Sequence, residues 1–251
     1  MFEQITPVNE VRHRAKKVKA LENFAFAKDL HMVGLMVQEF PIAAASYPIV
    51  FLERPESDDF LAVALVGFKA GENLFVDADG KWTGAYVPAM LRRYPFILAR
   101  TEEEGRFTVC VDEASGLIDD EAGQSLFTDE GAPTEALERV KRYLVDLQQL
   151  EGTTKAFCAK LKENNLLAPL NLRIRDAGEL RNVTGCWVVN EERLGSLSEQ
   201  MFLDLRRSHY LQAIYSHIIS LGQIDRLIQE KDRRQAADAG SPSARKKGAK
   251  A

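Results

Sequence analysis

Short apolar runs separated by turn residues fill the first 115 positions of the chain, and no long helical pattern lies between them. YPIVFLE (47–53) and FLAVALVGF (60–68) flank the polar turn RPESDD, while YPFILAR (94–100) and RFTVCVD (106–112) flank TEEEG. Each pair predicts a β-hairpin. Because parallel strands need long crossover connections, five or six such runs without intervening helices predict a mostly antiparallel sheet.

Three further segments of the first half carry weaker patterns. HMVGLMVQEF (31–40) partly alternates and predicts a strand that ends or lies at a sheet edge, since Pro41 lacks a hydrogen-bond donor. NLFV (73–76) predicts a short strand before the turn DADG, in which glycine supplies a positive φ. YVPAMLRRYPF (86–96) predicts one helical turn between its two prolines.

The pattern changes near residue 130, where apolar residues begin to recur at helical spacing. This stripe predicts a long helix from Pro133 that ends before Pro169, and Gly152 is the place where it could kink or break. LNLRIR (170–175) and GCWVVN (185–190) predict strands, joined by a turn or linking loop.

The end of the chain predicts another helix. Ser196 and Glu199 have the spacing of a capping box, and the apolar face that follows predicts a final long helix ending near Lys231. The fold class predicted is α+β: a mostly antiparallel sheet in the first half with packed helices and a long C-terminal helix. With 251 residues, 45% of them apolar, the chain can bury a sizeable core, and residues 1–232 are expected to form a single domain. Residues 233–251 are small and basic and predict a disordered tail.

Several classes of function find no support in the sequence. A net charge of −4 argues against a general nucleic-acid-binding surface. Cys110, Cys158 and Cys186 lie far apart, and the four histidines show no ligand spacing, so no metal site is predicted. The chain has neither a glycine-rich phosphate loop nor a GxSxG motif, so no cofactor and no catalytic residue is predicted.

Nothing in the sequence predicts a transmembrane segment. The longest uninterrupted apolar run is LAVALV (61–66), whereas a membrane helix needs about 20 apolar residues. No apolar signal core follows the basic N-terminal cluster, so the expectation is a soluble, cytoplasmic protein. The cluster predicts a solvated charged arm, with contact to phosphate or an anionic membrane as the alternative; its members are Arg12, Arg14, Lys16, Lys17 and Lys19.

The stretch GKWTGAYVPAMLRRYPFIL (80–98) is the best candidate for a ligand site, because it concentrates aromatic and cationic side chains. The candidate ligand-binding residues are Trp82, Tyr86, Arg92, Arg93 and Tyr94, together with Glu39 and His31 from the segment 31–40. These residues could wall a pocket for a sugar or a carboxylate. Alternatively, the aromatic residues lie at the rim of the core, and the arginines cap the helical turn or pair with carboxylates in 102–104. Convergence of Trp82, Arg93, Glu39 and His31 on one concave pocket favours an enzyme or a ligand site, whereas scatter over the surface or burial in the core favours a non-enzymatic accessory protein.

Several segments together resemble one known family, the SapC family of bacterial proteins. They are EFPIAAASYPIVF, ALVGF, ENLFVDADGKWTGAYVPAMLRRYPFIL, GQSLFTDEG and the late LQAIYSHIISLGQIDRL. The resemblance extends from about residue 5 to about residue 230, and its most specific parts are YPIVF and the tryptophan-to-RRYPF stretch. The peptide-transporter permease of similar name is a different protein, since no membrane span is predicted here.

The resemblance implies a role but no chemistry. The family is named after a gene in a bacterial surface-layer locus. Its members are encoded near iron-dependent cupin-like proteins, halogenase-like flavoproteins and outer-membrane receptors. This implies an accessory or binding protein that acts with envelope or nutrient-uptake machinery, reaching the surface, if at all, by a route without a cleaved signal. The alternative is an enzyme of unrecognised type that acts on a small organic substrate through Arg92, Arg93 and Tyr86 with carboxylates such as Glu39 or Asp77.

Overall fold

The structure, a computed structural model, describes residues 2–101, 107–176 and 179–240. The strands are β1 (Ile5–Pro7), β2 (Lys17–Val18), β3 (Met32–Gly34), β4 (Ile49–Arg54), β5 (Asp59–Leu65), β6 (Phe96–Arg100), β7 (Phe107–Asp112), β8 (Ile118–Asp119), β9 (Gln124–Ser125), β10 (Leu167–Pro169), β11 (Leu172–Asp176), β12 (Glu179–Val183) and β13 (Cys186–Val189). The helices are α1 (Glu10–His13), α2 (Phe40–Ala43), α3 (Ala89–Arg92), α4 (Glu135–Glu163), α5 (Glu191–Gly195), α6 (Glu199–Arg207), α7 (Tyr210–Ser220) and α8 (Gln223–Gly240).

A five-stranded antiparallel sheet in the order β10-β13-β4-β5-β3 forms the centre of the fold. Its β4–β5 hairpin confirms the prediction from 47–53 and 60–68, with Ile49 opposite Ala64. Helix α4 packs against β5, and α7 packs against β4 and β13. Because these helices cover the sheet, β5 is buried along most of its length, as its continuous apolar run predicts.

A second antiparallel sheet has the order β1-β7-β6 and carries the predicted hairpin of 94–100 and 106–112. The turn of that hairpin, residues 102–106, lies outside the described residues. Strand β1 adds the N-terminus to the sheet, with Thr6 opposite Val111. Helix α4 also contacts β6, so this one helix covers parts of both sheets.

The long helix α4 runs without a break through Gly152. It begins at Thr134, whose side chain accepts a hydrogen bond from the backbone N–H of Leu137. Its buried side chains follow the predicted stripe; those with apolar groups are Leu137, Leu144, Leu147, Phe157, Cys158 and Leu161. The fold is therefore α+β, as predicted, with helices packed on antiparallel sheets.

The C-terminal helical region is long but bent into segments. Helix α6 begins at Ser198, whose side chain accepts from Met201 N, so the predicted start at Ser196 is wrong by two residues. The chain bends at His209, which has a φ of +59°, and α8 follows after a second break. Helix α8 passes the predicted end at Lys231, because Arg234 donates hydrogen bonds to the carbonyls of the 73–76 segment. Residues 241–251 of the predicted tail lie outside the described part of the chain.

Three local predictions are wrong in whole or in part. The strand predicted in 31–40 lies at the sheet edge as expected, but it covers only Met32–Gly34, and Pro41 lies in the first turn of α2, a position that tolerates proline. The segment 73–76 is not a strand and contributes only an isolated bridge between Val76 and Trp82. The predicted loop after β11 contains β12, which pairs with β11 in a separate two-stranded ribbon.

The basic N-terminal cluster is not a free arm, because acidic residues of the 113–121 segment pair with it. Lys16 lies 2.7 Å from Asp120, and Lys19 lies 2.6 Å from Asp119. Arg12 forms an ion pair with Glu113. These contacts hold the N-terminal segment on the body of the protein and reduce the charge available for phosphate or an anionic membrane.

The buried histidine of α7 joins that helix to two strands of the central sheet. His217 is fully buried, donates from Nδ1 to the carbonyl of Ile49 at 2.9 Å, and accepts at Nε2 from the N–H of Val189 at 3.0 Å. Ser220, one turn later, accepts at Oγ from Ile49 N. Burial lowers the pKa of His217 to about 4, because a charged imidazole is poorly solvated there.

We expect the protein to lose stability on acidification through His217. The pKa of its imidazole is depressed on folding, so the unfolded chain takes up this proton first as the pH falls below about 6.5. The stability that comes from keeping His217 neutral is fully present above about pH 6.5 and is lost progressively as the pH falls to about 4. Between pH 7 and pH 4.5, His217 should account for about 2–3 kcal/mol of the free energy of unfolding, measured by urea denaturation.

Other groups titrate in the same range, so a variant isolates the share of His217. His217→Asn does not titrate and should show a correspondingly smaller loss between the two pH values. The matched control is His209→Asn, at an exposed position whose left-handed backbone asparagine tolerates. An unchanged pH dependence in His217→Asn contradicts the assignment.

Candidate functional site

A buried carboxylate holds the helical turn that carries the two arginines. Glu39 is 6% exposed, and its Oε1 accepts from the backbone N–H of Ala89 at 2.8 Å and from the hydroxyl of Tyr86 at 2.6 Å. Its Oε2 accepts from the N–H of Met36 at 2.8 Å. On the opposite side, the hydroxyl of Tyr143 donates to the carbonyl of Ala89 at 3.1 Å. Helix α3 is therefore clamped between the 36–39 turn and α4.

Arg92 lies on the outer side of the same network. Its Nη2 donates to the hydroxyl oxygen of Tyr86 at 3.1 Å, and its Nε donates to the carbonyl of Val87 at 3.1 Å. The guanidinium also lies over the rings of Tyr86 and Tyr143, at 5.6 and 5.9 Å from their centroids. Burial and the neighbouring carboxylate of Glu39 raise the pKa of Tyr86, so its phenol stays protonated and its proton is committed to Glu39.

Trp82 belongs to the hydrophobic core. It is 6% exposed and stacks on Phe75, with ring centroids 5.8 Å apart. Its Nε1 donates to the hydroxyl of Tyr47 at 2.9 Å and to the carbonyl of Tyr86 at 3.0 Å. A side chain at Gly84 would collide with Tyr47 and Trp82, so glycine permits this close packing. The indole N–H therefore has partners within the fold.

Among the described residues, Tyr94 and His31 make no hydrogen bond or ring contact with each other or with Trp82. Tyr94 is buried, stacks on Phe26 with centroids 4.0 Å apart, and places its hydroxyl 3.4 Å from a carboxylate oxygen of Asp112. His31 is half-buried beside β3, and its backbone carbonyl accepts from the N–H groups of Val66 and Gly67. Neither residue lines the cavity described next.

A cavity of about 370 Å³ lies between α3, β6 and α4, and Arg93 projects into it from the end of α3; we refer to it as the Arg93 cavity. Its polar lining consists of Arg93, Arg100, Gln148, Glu151 and Lys155. Its apolar walls include Met36, Met90, Leu98 and Leu147. A cavity of this size, with a few charged groups between apolar walls, suits a small molecule.

Arg93 is the unsatisfied group of this cavity. Its Nε is buried and has no hydrogen-bond partner in the part of the chain that the structure describes. The guanidinium lies 5.7 Å from the ring centroid of Phe2. Burial lowers the pKa of Arg93, and the carboxylate of Glu151 offsets this in part. An arginine nevertheless stays charged in proteins, so an anion entering the cavity would find an available cation.

The predicted site residues thus fall into three groups, with His31 apart from all of them. Arg93 lines the cavity; Glu39, Tyr86 and Arg92 form the network that holds α3; Trp82 and Tyr94 lie in the core, and His31 lies elsewhere. They do not converge on one concave pocket, and whether any of them binds a ligand stays a prediction. The alternative pairing of Arg92 and Arg93 with carboxylates in 102–104 falls outside the described residues.

The sequence pointed to none of the cavity's other polar residues, which are Arg100, Gln148, Glu151 and Lys155. Arg100 lies two residues after Leu98 on β6, so both side chains are on the same face of the strand. Arg100 is exposed at the end of the strand, and an arginine there gives no sequence signal of a binding site. Glu151 and Lys155 are four residues apart on α4 and form an ion pair at 3.6 Å, the usual pattern of a solvated helix face. Only the packing of α4 across β6 brings these residues to Arg93.

Comparison with known proteins identifies the family. A family model described as SapC matches residues 8–227, which is most of the chain. The protein belongs to the SapC family. No match was found among curated proteins or among solved structures. The matched range includes Glu39, α3 and the described lining of the Arg93 cavity, so the site lies within the part of the chain that the family model matches.

Two further properties bear on this family member. Within the described ranges, no helix is both long enough and apolar enough to cross a membrane. Among the same residues, no three histidine, cysteine or acidic side chains are grouped to hold a metal ion.

We expect the carboxylate of Glu39 to be essential for the stability of this region. Glu39→Gln keeps the volume but turns one acceptor oxygen into a donor, so the backbone N–H of Met36 or of Ala89 faces the new amide N–H₂ and both of these buried donors lack an acceptor. An unsatisfied buried donor costs about 1–3 kcal/mol, so the free energy of unfolding should fall by about 2–4 kcal/mol in urea denaturation.

Two controls accompany that measurement. Tyr86→Phe removes one hydrogen bond to Glu39 and should cost only about 1 kcal/mol. Glu53→Gln changes an exposed carboxylate and should stay within about 0.5 kcal/mol of the wild type. Equal effects of Glu39→Gln and Glu53→Gln would show that the clamp contributes nothing to stability.

Proposed function

We propose that this SapC-family protein is a binding protein that holds a small organic anion in the Arg93 cavity. The observation that carries the proposal is the buried Nε of Arg93, which has no hydrogen-bond partner in the described chain. Buried polar groups are almost always paired in folded proteins, and an unpaired one calls for an explanation such as a ligand. A carboxylate suits the planar guanidinium, because its two oxygens match two N–H donors.

The polar residues near α3 favour binding over catalysis. The hydroxyl of Tyr86 already donates a hydrogen bond of 2.6 Å to the carboxylate of Glu39, which accepts from two backbone N–H groups as well. A general base needs a free lone pair within reach of the substrate, and these groups face the α3 backbone. The network supports α3 and thereby the position of Arg93.

In the accessory role that the family resemblance implies, the anion is a compound that is taken up or modified by bacterial envelope or uptake machinery. The protein would hold that compound and deliver it to a protein partner. This part of the proposal comes from the resemblance, and the cavity supplies only the binding site.

A thermal-shift panel tests whether the cavity binds anions. Small carboxylates and their neutral amides are added to the wild type and to Arg93→Gln. We expect some carboxylates to raise the Tm of the wild type, because a ligand that binds only the folded state stabilises it. The corresponding amides should not. Arg93→Gln should keep the Tm of the ligand-free protein within a few degrees, because the buried Nε of Arg93 has no hydrogen-bond partner in the described chain, and should lose the ligand-induced shift.

The matched control is Arg142→Gln. Arg142 is an exposed residue of α4 that forms an ion pair with Glu135 and does not line the cavity. It should retain the ligand-induced shift. The proposal is contradicted if no carboxylate raises the Tm, if the shift persists in Arg93→Gln, or if Arg93→Gln unfolds the protein, which would mark Arg93 as structural. Conversion of a bound anion to product, followed by NMR, would show an enzyme instead.

A further inference from the structure

The charges that line the Arg93 cavity exceed what a single negative group would neutralise. Among the described residues, three cationic side chains and one carboxylate line it, which together carry a formal charge of two positive units. Lys155 and Glu151 are within 3.6 Å of each other and largely offset one another. The guanidinium groups of Arg93 and Arg100 remain, and neither forms an ion pair within the described residues.

The two arginines reach the cavity from different elements. Arg93 follows the last residue of α3, whereas Arg100 is the last residue of β6, where it lies opposite Phe107 of β7. Leu98 lies two residues before Arg100 and lines the same cavity. The cavity therefore presents two cationic groups from different elements, and Leu98 on β6 contributes an apolar part of its lining. A single compact anion meets one of them more easily than both.

A glycine in the opposite wall gives an independent indication of a ligand. Gly152 lies inside the 29-residue helix α4, where glycine costs about 1 kcal/mol relative to alanine. Apart from its own chain neighbours and the nearby backbone of α4, no described atom lies within 4 Å of the position that its Cβ would occupy, so contacts with the rest of the protein do not require glycine. Gly152 lines the Arg93 cavity. A glycine is used where a ligand approaches the backbone closely, and the body of a ligand here would meet α4 at this point.

We propose that the occupant of the Arg93 cavity is a small organic dianion with two separate carboxylate groups, one bound by Arg93 and the other by Arg100. Its carbon body lies between Leu98 and the bare backbone of α4 at Gly152. This inference rests on the proposed anion-binding function and adds the chemical class of the ligand, together with two residues, Arg100 and Gly152, that determine specificity.

A chain-length series tests the dianion. Isothermal titration calorimetry compares the linear dicarboxylates from succinate to suberate with the monocarboxylates of the same length, from butyrate to octanoate. The best dicarboxylate should bind at least tenfold more tightly than its matched monocarboxylate, since an additional charge-assisted hydrogen bond contributes about one power of ten or more. Arg100→Gln should remove this advantage and leave monocarboxylate binding within about twofold.

The possible failures separate the two proposals. If no carboxylate binds, or if binding is indifferent to Arg93→Gln, the anion-binding function itself is wrong. If carboxylates bind through Arg93 but monocarboxylates bind as tightly as dicarboxylates, or Arg100→Gln has no effect, only the dianion inference is overturned. Phenyl phosphate, in which both charges lie on one group, is the further probe. Binding of phenyl phosphate that is tighter than any dicarboxylate and independent of Arg100 also overturns the inference.

Gly152→Ala tests the contact with α4 separately. The added methyl group should raise the Tm of the ligand-free protein, since alanine is the better helix former and has open space here. The same methyl group should weaken binding of the best dicarboxylate about tenfold, and Gly152→Leu should weaken it further. The control is Gly195→Ala in α5, where a Cβ also meets open space and which lies outside the cavity lining. Unchanged affinity in Gly152→Leu contradicts a ligand body at this position.

Discussion

The buried carboxylate of Glu39 is the interaction on which the candidate site depends. A carboxylate removed from water is unfavourable unless hydrogen bonds compensate it, and here three donors do so: two backbone N–H groups and the hydroxyl of Tyr86. Two of these donors come from the segment that contains α3. The four-residue helix would be marginal by itself, and this clamp fixes its orientation. Arg93 is the C-cap residue of α3, so the orientation of α3 directs its side chain into the cavity.

The polar groups around α3 differ in how fully they are satisfied, and this difference separates support from binding. Arg92 donates to the hydroxyl of Tyr86, and that hydroxyl donates to Glu39. The indole N–H of Trp82 has two acceptors. Arg93 has a ring contact with Phe2 and a Coulombic interaction with Glu151, but its buried Nε lacks an acceptor in the described chain. Satisfied networks stabilise a fold, whereas an unsatisfied cation at a cavity wall is available to a ligand.

The sequence predicted the hairpins well because their signals are local. In 47–68 and 94–112, apolar β-rich runs flank polar turns, and the strands form between neighbouring segments. The failures have a tertiary cause. In 31–40 the alternation suggested a strand, but Met36 and Glu39 are needed at the α3 clamp, and the chain turns there instead. Within the described residues, the 179–183 segment pairs with its neighbour β11 alone, and its mixed polar sequence showed no apolar alternation.

By itself, the sequence determined the α+β class, the main hairpins, the long helix α4 and the family of the protein, because each is encoded in contiguous residues. It also pointed to Arg93, through an unusual density of aromatic and cationic residues in 80–98. Only the tertiary structure separated these residues into core, clamp and cavity wall. That separation depends on which side of α3 faces α4 and on the position of Arg100, Glu151 and Gly152. These residues are distant from Arg93 or unremarkable in the chain, and they meet it only because α4 crosses the edge of the β6–β7 sheet.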